Sequence, residues 1–322
     1  MSDALPDFAS VVAAADRIAP FILRTPVLSS EAFNSRVARQ VFFKCENLQR
    51  GGAFKYRGAM NALLQLPAGQ RVQTVATHSS GNHGTALALA ARVRGLTCIV
   101  VMPEDSSASK LAAVRAAGAE IFLSAPGTEA REARLAEVLR QRSAHLVHPF
   151  DDARVIAGQG TAALELLAEQ PALAAMVVPV GGGGLIGGTA LACKGGNPAI
   201  RVVGAEPAQA DDAARSLASG QRQSAGVPQT IADGLRGSIG VRNFALLQAN
   251  VDQVITVSEA QIVAAMRIAL ADLKLLIEPS SAVALAAVLG GEVGRQGEPI
   301  GVIISGGNVD LEQCPFLAGR SA

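Results

Sequence analysis

Short β-branched runs alternate with alanine- and leucine-rich segments along nearly the whole chain, and this alternation restricts the fold more than any other feature. The strand-like runs are VFFKCE (41–46), RVQTVATH (71–78), TCIVVMP (97–103), EIFLS (120–124), AMVVPV (175–180), IRVVGAE (200–206) and PIGVIIS (299–305). Helical spacing fills the intervals at 82–94, 108–117, 128–142, 154–169 and 184–194, and two further helices follow at 258–273 and 280–289. Within 258–273, Ile262, Met266, Ala269, Leu270 and Leu273 fall on one face. Apolar strands separated by helices predict an α/β protein with mostly parallel sheets. Residues 72–148 read as one compact run of such units. The expected division is a large domain of 1–71 and 149–322, with 72–148 inserted as a smaller one.

Composition removes several classes of function. The 322 residues are 49% apolar and 17% charged, enough to bury a large core. A net charge of +1 without a basic cluster argues against nucleic acid as a partner. The absence of tryptophan, with Tyr56 the one tyrosine, argues against a base-stacking platform. No apolar run reaches the roughly 18 residues of a membrane span. The N-terminal MSDALPDFAS lacks a basic-then-apolar leader, and Cys45, Cys98, Cys193 and Cys314 share no metal or redox spacing. These features predict reduced, buried thiols in a cytoplasmic protein.

In open parallel sheets ligands bind beyond the carboxyl ends of strands. Four such loops are unusual: HSSGNHG (78–84), VGGGGLIGG (180–188), GAEPAQADD (204–212) and SGGNVD (305–310). A glycine run between an apolar strand and a helix suits a phosphate, because bare amides and a helix N-terminus both favour an anion. Gly182, Gly184 and Gly187 also fit a dinucleotide fingerprint, with Glu206 about 20 residues on, so an NAD(P)-dependent oxidoreductase competes. Ser79, Ser80 and Asn82 suit a carboxylate or a helix cap. His83 has no second histidine at ligand spacing and reads as a structural or ligand-contact residue. Ser305 suits a ring nitrogen or a turn. Glu206 and Asp212 suit a hard cation or a solvated loop. Lys55 is one of five lysines and sits in GGAFKYRG (51–58), between glycines and aromatic neighbours. That setting fits an amine that is partly desolvated and approached by a flat ligand.

Taken together, RTPVLSS (24–30), FFKCENLQRGGAFKYRGAMNAL, SSGNHG, VVPVGGGGLIGG, GAEPAQADD, IADGLRGSIG, KLLIEPSSA and SGGNVD resemble one family across nearly the whole chain. It is the pyridoxal-phosphate enzymes of the tryptophan-synthase β fold (fold type II), in the branch of serine racemase, serine/threonine dehydratase and 3-hydroxyaspartate dehydratase. The resemblance implies two open, mostly parallel twisted sheets flanked by helices, a large cofactor-binding domain, a small domain that closes on substrate, and a homodimer. It implies that Lys55 forms the imine with pyridoxal phosphate and later takes the α-proton. Phe54 would pack on the ring, and Gly181, Gly182, Gly183, Gly184 and Leu185 would hold the phosphate. Asn82 would bond the ring hydroxyl, Ser305 would face the pyridine nitrogen, and Gly234 would line the ring. Ser79, Ser80 and His83 would frame the substrate carboxylate. Glu206, the Ala210 carbonyl and Asp212 would hold Mg²⁺, or Ca²⁺ or Mn²⁺ in its place.

The implied reaction is loss of a β-hydroxyl from an amino-acid substrate, giving a 2-keto acid and ammonia. Ser80, where many threonine dehydratases carry alanine, resembles the racemases and hydroxyaspartate dehydratases, in which it is the base on the opposite face. Arg131 in TEAREAR matches a family arginine that reaches a distal carboxylate, so 3-hydroxyaspartate is the expected substrate. The alternative is an L-serine/L-threonine dehydratase with serine racemase activity. Thr85 and Ala117 stand where animal racemases receive a nucleotide, so nucleotide activation is not expected. Nor is feedback control, since no regulatory domain follows residue 322.

Overall fold

The computed structural model describes residues 4–66 and 72–316. Arg71, the expected start of one strand and end of a domain segment, lies outside them. Among the described residues the strands are β1 (Val27–Leu28), β2 (Val41–Cys45), β3 (Thr74–His78), β4 (Thr97–Pro103), β5 (Ala119–Ser124), β6 (His145–Leu146), β7 (Ala175–Pro179), β8 (Arg201–Pro207), β9 (Gln253–Val257) and β10 (Ile300–Ile304). The helices are α1 (Phe8–Ile18), α2 (Glu31–Val37), α3 (Lys55–Leu64), α4 (Asn82–Val93), α5 (Ala108–Ala116), α6 (Thr128–Gln141), α7 (Ala153–Glu169), α8 (Gly184–Gly196), α9 (Asp212–Ser219), α10 (Val241–Asn250), α11 (Glu259–Ile268) and α12 (Pro279–Leu289).

Six strands form one sheet in the order β1-β2-β10-β7-β8-β9, parallel except where β1 pairs with β2. The other sheet runs β5-β4-β3-β6, is parallel throughout, and draws only on residues 74–146. Central strands β7 and β10 are buried at every position. The pleat sends alternate side chains to opposite faces. Val302 and Ile304 of β10 join a core that includes α11 and α12, while Ile303 joins the core built with α7 and α8. In the smaller sheet Val75, Val100 and Met102 meet α3 and α4, and Ala76, Ile99 and Val101 meet α6. Apolar burial on both faces is why these strands read as unbroken hydrophobic runs.

One expected helix ends differently. The 258–273 pattern starts from a capping box of Ser258 with Gln261, but regular helix stops at Ile268. A π-turn, Ala269–Leu273, follows, and Lys274 closes it at φ 58°. The wider turn shifts the buried face, so Ala265 is inside while Leu270 is 39% exposed.

Two features fix α3, which begins at Lys55. Its Gly58 crosses Gly158 of α7 so closely that a Cβ on Gly158 would lie 2.7 Å from the Gly58 Cα. Next to this crossing is a buried ion network. Arg57 donates to both oxygens of Glu46 at 2.7 Å, to Glu165 at 2.6 and 2.9 Å, and to Thr161 at 3.2 Å. Lys44 donates to the Thr25 carbonyl at 2.6 Å and pairs with Glu165 at 2.7 Å. Two cations and two carboxylates balance, and they tie β2, α3 and α7 together.

Candidate active site

The carboxyl ends of the strands open on one cavity of about 1160 Å³. It is lined by Phe54, Lys55, Ser79, Ser80, Asn82, His83, Arg131, Gly181, Gly182, Gly183, Gly184, Leu185, Gly234 and Ser305. Segments far apart in sequence, from Phe54 to Ser305, thus meet at one place. The 204–212 loop is the exception among the four unusual loops, since none of its residues lines the cavity.

Lys55 reaches the cavity because the chain before it is folded back on the end of β10. Gly51 and Gly52 have φ of 73° and 71°, which side chains disfavour. A Cβ on Gly52 would meet Asn308 Oδ1 at 2.3 Å. The Phe54 amide donates to the Ser305 carbonyl at 3.0 Å, and Ala53 bridges to Gly306. The Lys55 Nζ lies 5.0 Å from the Phe54 ring centroid and donates to the Pro149 carbonyl at 3.1 Å. Burial pulls its pKa down to about 8, against the pull of Glu278. An amine with that pKa keeps a reactive neutral fraction near physiological pH, which serves as nucleophile and proton acceptor.

The glycine run lines the same cavity. Gly183 caps α8 with φ 88°, and a Cβ there would strike Ile239 at 2.3 Å. A Cβ on Gly182 would enter the Phe150 ring, also at 2.3 Å. Buried Asn243 donates to the carbonyls of Phe150 at 2.9 Å and Gly182 at 2.7 Å, which holds ring and loop together. The result is a side-chain-free loop at a helix N-terminus, lining the same cavity as a half-buried amine. That combination fits a flat aldehyde carrying a phosphate.

Several polar partners were not singled out in the sequence. Asn82 donates to Glu278 at 2.8 and 3.0 Å and accepts from Asn308 at 3.0 Å, so its amide is oriented from two sides. Glu278 is buried, and burial raises its carboxyl to about 7, with Lys110 opposing and Asp233 adding to the shift. Gly234 donates its amide to Ser280 at 3.0 Å. Ser79 behaves as a helix-start acceptor, its Oγ taking the amides of Gly81 and Gly84 at 3.0 Å each. Burial, then Lys55, holds His83 well below the ordinary imidazole range, so it is neutral.

Arg131 is half-buried, with its Nε unpartnered and one hydrogen bond, to Thr128 at 3.0 Å. Burial lowers its pKa, Glu132 and Asp105 oppose the shift, and Arg236 adds to it.

The ligand atoms of His78, Glu132 and His148 lie within 4.8 Å of one another. They do not suit a metal. His148 Nδ1 already accepts the amides of Asp151 at 2.9 Å and Phe150 at 3.4 Å, which leaves the ring proton on Nε2. The Glu206–Asp212 pair suits one better. Both carboxylates are fully buried, and Asp212 Oδ1 has no partner. Burial raises Glu206 to about 9, with Asp212 adding to the shift, and burial raises Asp212 to about 6. Two buried carboxylates beside the buried Ala210 offer the hard oxygen donors that a divalent ion takes. Glu206 also accepts the amides of Ala213 at 3.1 Å and Ala214 at 2.9 Å, away from the cavity, which removes the acidic residue that a dinucleotide site needs. All four cysteines are free and buried, and burial raises Cys45, Cys98 and Cys193 to about 12. Among the described residues no helix is long and apolar enough to cross a membrane.

The family described as "Pyridoxal-phosphate dependent enzyme" matches residues 18–306. A serine racemase of Arabidopsis thaliana is 46% identical over 95% of this chain and 94% of its own length. A beta-hydroxyaspartate dehydratase of Paracoccus denitrificans is 44% identical over 97% of this chain and 99% of its own. The solved structure of maize serine racemase superposes with a TM-score of 0.93, at 42% identity, covering 97% of both chains.

Proposed function

Because the chain belongs to the pyridoxal-phosphate-dependent enzymes, we propose that it removes water and then ammonia from 3-hydroxyaspartate, leaving the 2-keto acid. The observation that carries this choice of substrate is Arg131, a half-buried guanidinium in the cavity wall to which no carboxylate is bonded among the described residues. Relatives named for serine and for hydroxyaspartate are almost equally similar, so the names alone do not choose.

Pyridoxal phosphate, when bound, stabilises the negative charge that develops at the substrate Cα. Lys55 would hold the cofactor covalently and, once released by the substrate amine, accept the α-proton at Nζ. Its lowered pKa lets it do so near neutral pH. The amides of Gly181 to Gly184 and Leu185 would hold the phosphate, with Phe54 against the ring. Asn82, set by Glu278 and Asn308, would bond the ring hydroxyl. Gly234 would line the ring. Ser305 would offer the pyridine nitrogen a hydroxyl rather than a carboxylate, a weaker proton source, which would favour prompt loss of the β-hydroxyl. Ser79 and His83 would receive the substrate carboxylate. The enamine left after water departs tautomerises and takes up water, releasing ammonia and the keto acid.

Ser80 favours a second activity. It is half-buried in the same cavity wall and, as the base on the opposite face, would return a proton to Cα with inverted configuration. Ser80→Ala should then remove racemisation while leaving elimination; unchanged racemisation would refute that role.

Arg131→Ala should lower kcat/KM for 3-hydroxyaspartate by about 10–100-fold, the worth of a charged hydrogen bond, and leave L-serine within about threefold. Equal losses on both substrates would contradict the assignment.

Glu206, the Ala210 carbonyl and Asp212 would hold Mg²⁺, with Ca²⁺ or Mn²⁺ as substitutes, and so relieve the repulsion between the two carboxylates. Added Mg²⁺ should therefore raise the melting temperature, chelation should reverse the rise, and Asp212→Asn should abolish it. The same rise in Asp212→Asn would place the ion elsewhere. Residues 72–148 would act as an inserted domain closing over substrate, in a cytoplasmic homodimer.

A further inference from the structure

We propose that Arg236 completes the subsite begun by Arg131, so that the two guanidinium groups hold the second carboxylate of a dicarboxylic amino acid between them. The inference rests on the substrate reading above and adds a residue the sequence did not mark. Arg131 stands on α6, which packs on the smaller sheet. Arg236 follows the short turn Asp233–Leu235, next to Gly234 in the wall on the side of the larger sheet. Both arginines line the one cavity.

Their partners leave donors over. Arg236 spends Nε and one terminal nitrogen on the Thr230 carbonyl, at 3.1 and 2.7 Å, which fixes the plane of its fork. Arg131 spends one terminal nitrogen on Thr128. The acidic neighbour of Arg236 in sequence, Asp233, is already paired with Lys110. Glu132 and Asp105 are near enough to Arg131 to favour its charge, yet neither forms an ion pair with it among the described residues. Two like charges that face one cavity repel each other until an anion lies between them. A carboxylate presents two oxygens and accepts from two forks at once. A serine or threonine side chain offers neither the charge nor the second oxygen. Because Arg131 belongs to the smaller sheet's layer and Arg236 to the larger sheet's, a bridging carboxylate would also link the two.

The test uses the holoenzyme with Mg²⁺ and compares wild type, Arg236→Ala and Arg236→Lys on 3-hydroxyaspartate and on L-serine. L-Aspartate, which has no β-hydroxyl to lose, serves as a binding probe against L-alanine, read from the cofactor absorbance. Arg236→Ala should lower kcat/KM for 3-hydroxyaspartate by about 10–100-fold, mainly through KM, and weaken L-aspartate by the same factor. L-Serine and L-alanine should move less than about threefold. Arg236→Lys, which keeps the charge and loses the fork, should fall between. A wild type selective for 3-hydroxyaspartate whose Arg236→Ala variant keeps that selectivity would overturn the role of Arg236 alone. A wild type that prefers L-serine and binds L-aspartate no better than L-alanine would overturn the substrate reading and this subsite with it.

Discussion

Lys55→Ala should abolish covalent cofactor attachment and lower the elimination rate by about 10²–10⁴-fold from the lost proton transfer alone. The visible absorbance of the bound cofactor should disappear, and borohydride, which fixes a lysine–aldehyde linkage, should label wild type and not the variant. The lowered pKa of Lys55 adds a pH signature. A depressed lysine pKa leaves the amine neutral, and therefore able to attack an aldehyde, above that value. The rate at which apoprotein takes up pyridoxal phosphate should climb with pH to about 8 and level off above it. A climb that continues toward the ordinary lysine pKa would show that the amine is not desolvated as the geometry requires. Retained absorbance and activity in Lys55→Ala would remove the lysine from the chemistry.

Arg57→Ala should cost about 3–5 kcal/mol of stability, read as a fall in the urea midpoint, because it leaves a buried carboxylate uncompensated. Glu46 and Arg57 are fully buried, and Glu46 takes two of the arginine's bonds. Glu165 keeps Lys44 and is less exposed to the change. Since α3 starts at Lys55 two residues earlier, the variant should also bind pyridoxal phosphate more weakly than wild type at the same temperature. A loss under about 1 kcal/mol would mean that the network does not hold α3 in place.

The residues legible in the sequence were those whose chemistry is local. Gly181 to Gly184 sit between a buried strand and a helix, and no arrangement of that triplet of features hides the loop. Lys55 was visible because its neighbours leave it few other uses. Strands β7 and β10 were visible because helices cover both faces and no polar residue interrupts them. What was illegible depends on contacts between distant segments. Glu278 meets Asn82 across 196 residues, and Asn243 meets Phe150 across 93. Nothing in LLIEPSS or RNFALL announces those bonds. Helix α3 was missed because its glycine and its buried asparagine, Asn61, break the helical pattern and are paid back by packing on α7. β9 was missed because its sequence, QVITV, lies at the sheet edge and alternates, with Thr256 outside and Val257 inside. The 204–212 loop was legible as an acidic cluster, but the burial of Glu206 and Asp212 required the fold.

The measurement closest to the central claim is the initial rate of 2-keto acid release from the isomers of 3-hydroxyaspartate, from L-serine and from L-threonine, with pyridoxal phosphate and Mg²⁺ present. The account predicts that one hydroxyaspartate isomer is turned over with a kcat/KM at least about 10-fold above either monocarboxylic substrate, as a single charged contact would give. Faster release from L-serine or L-threonine would contradict it, and would place Arg131 and Arg236 outside the chemistry that the cavity performs.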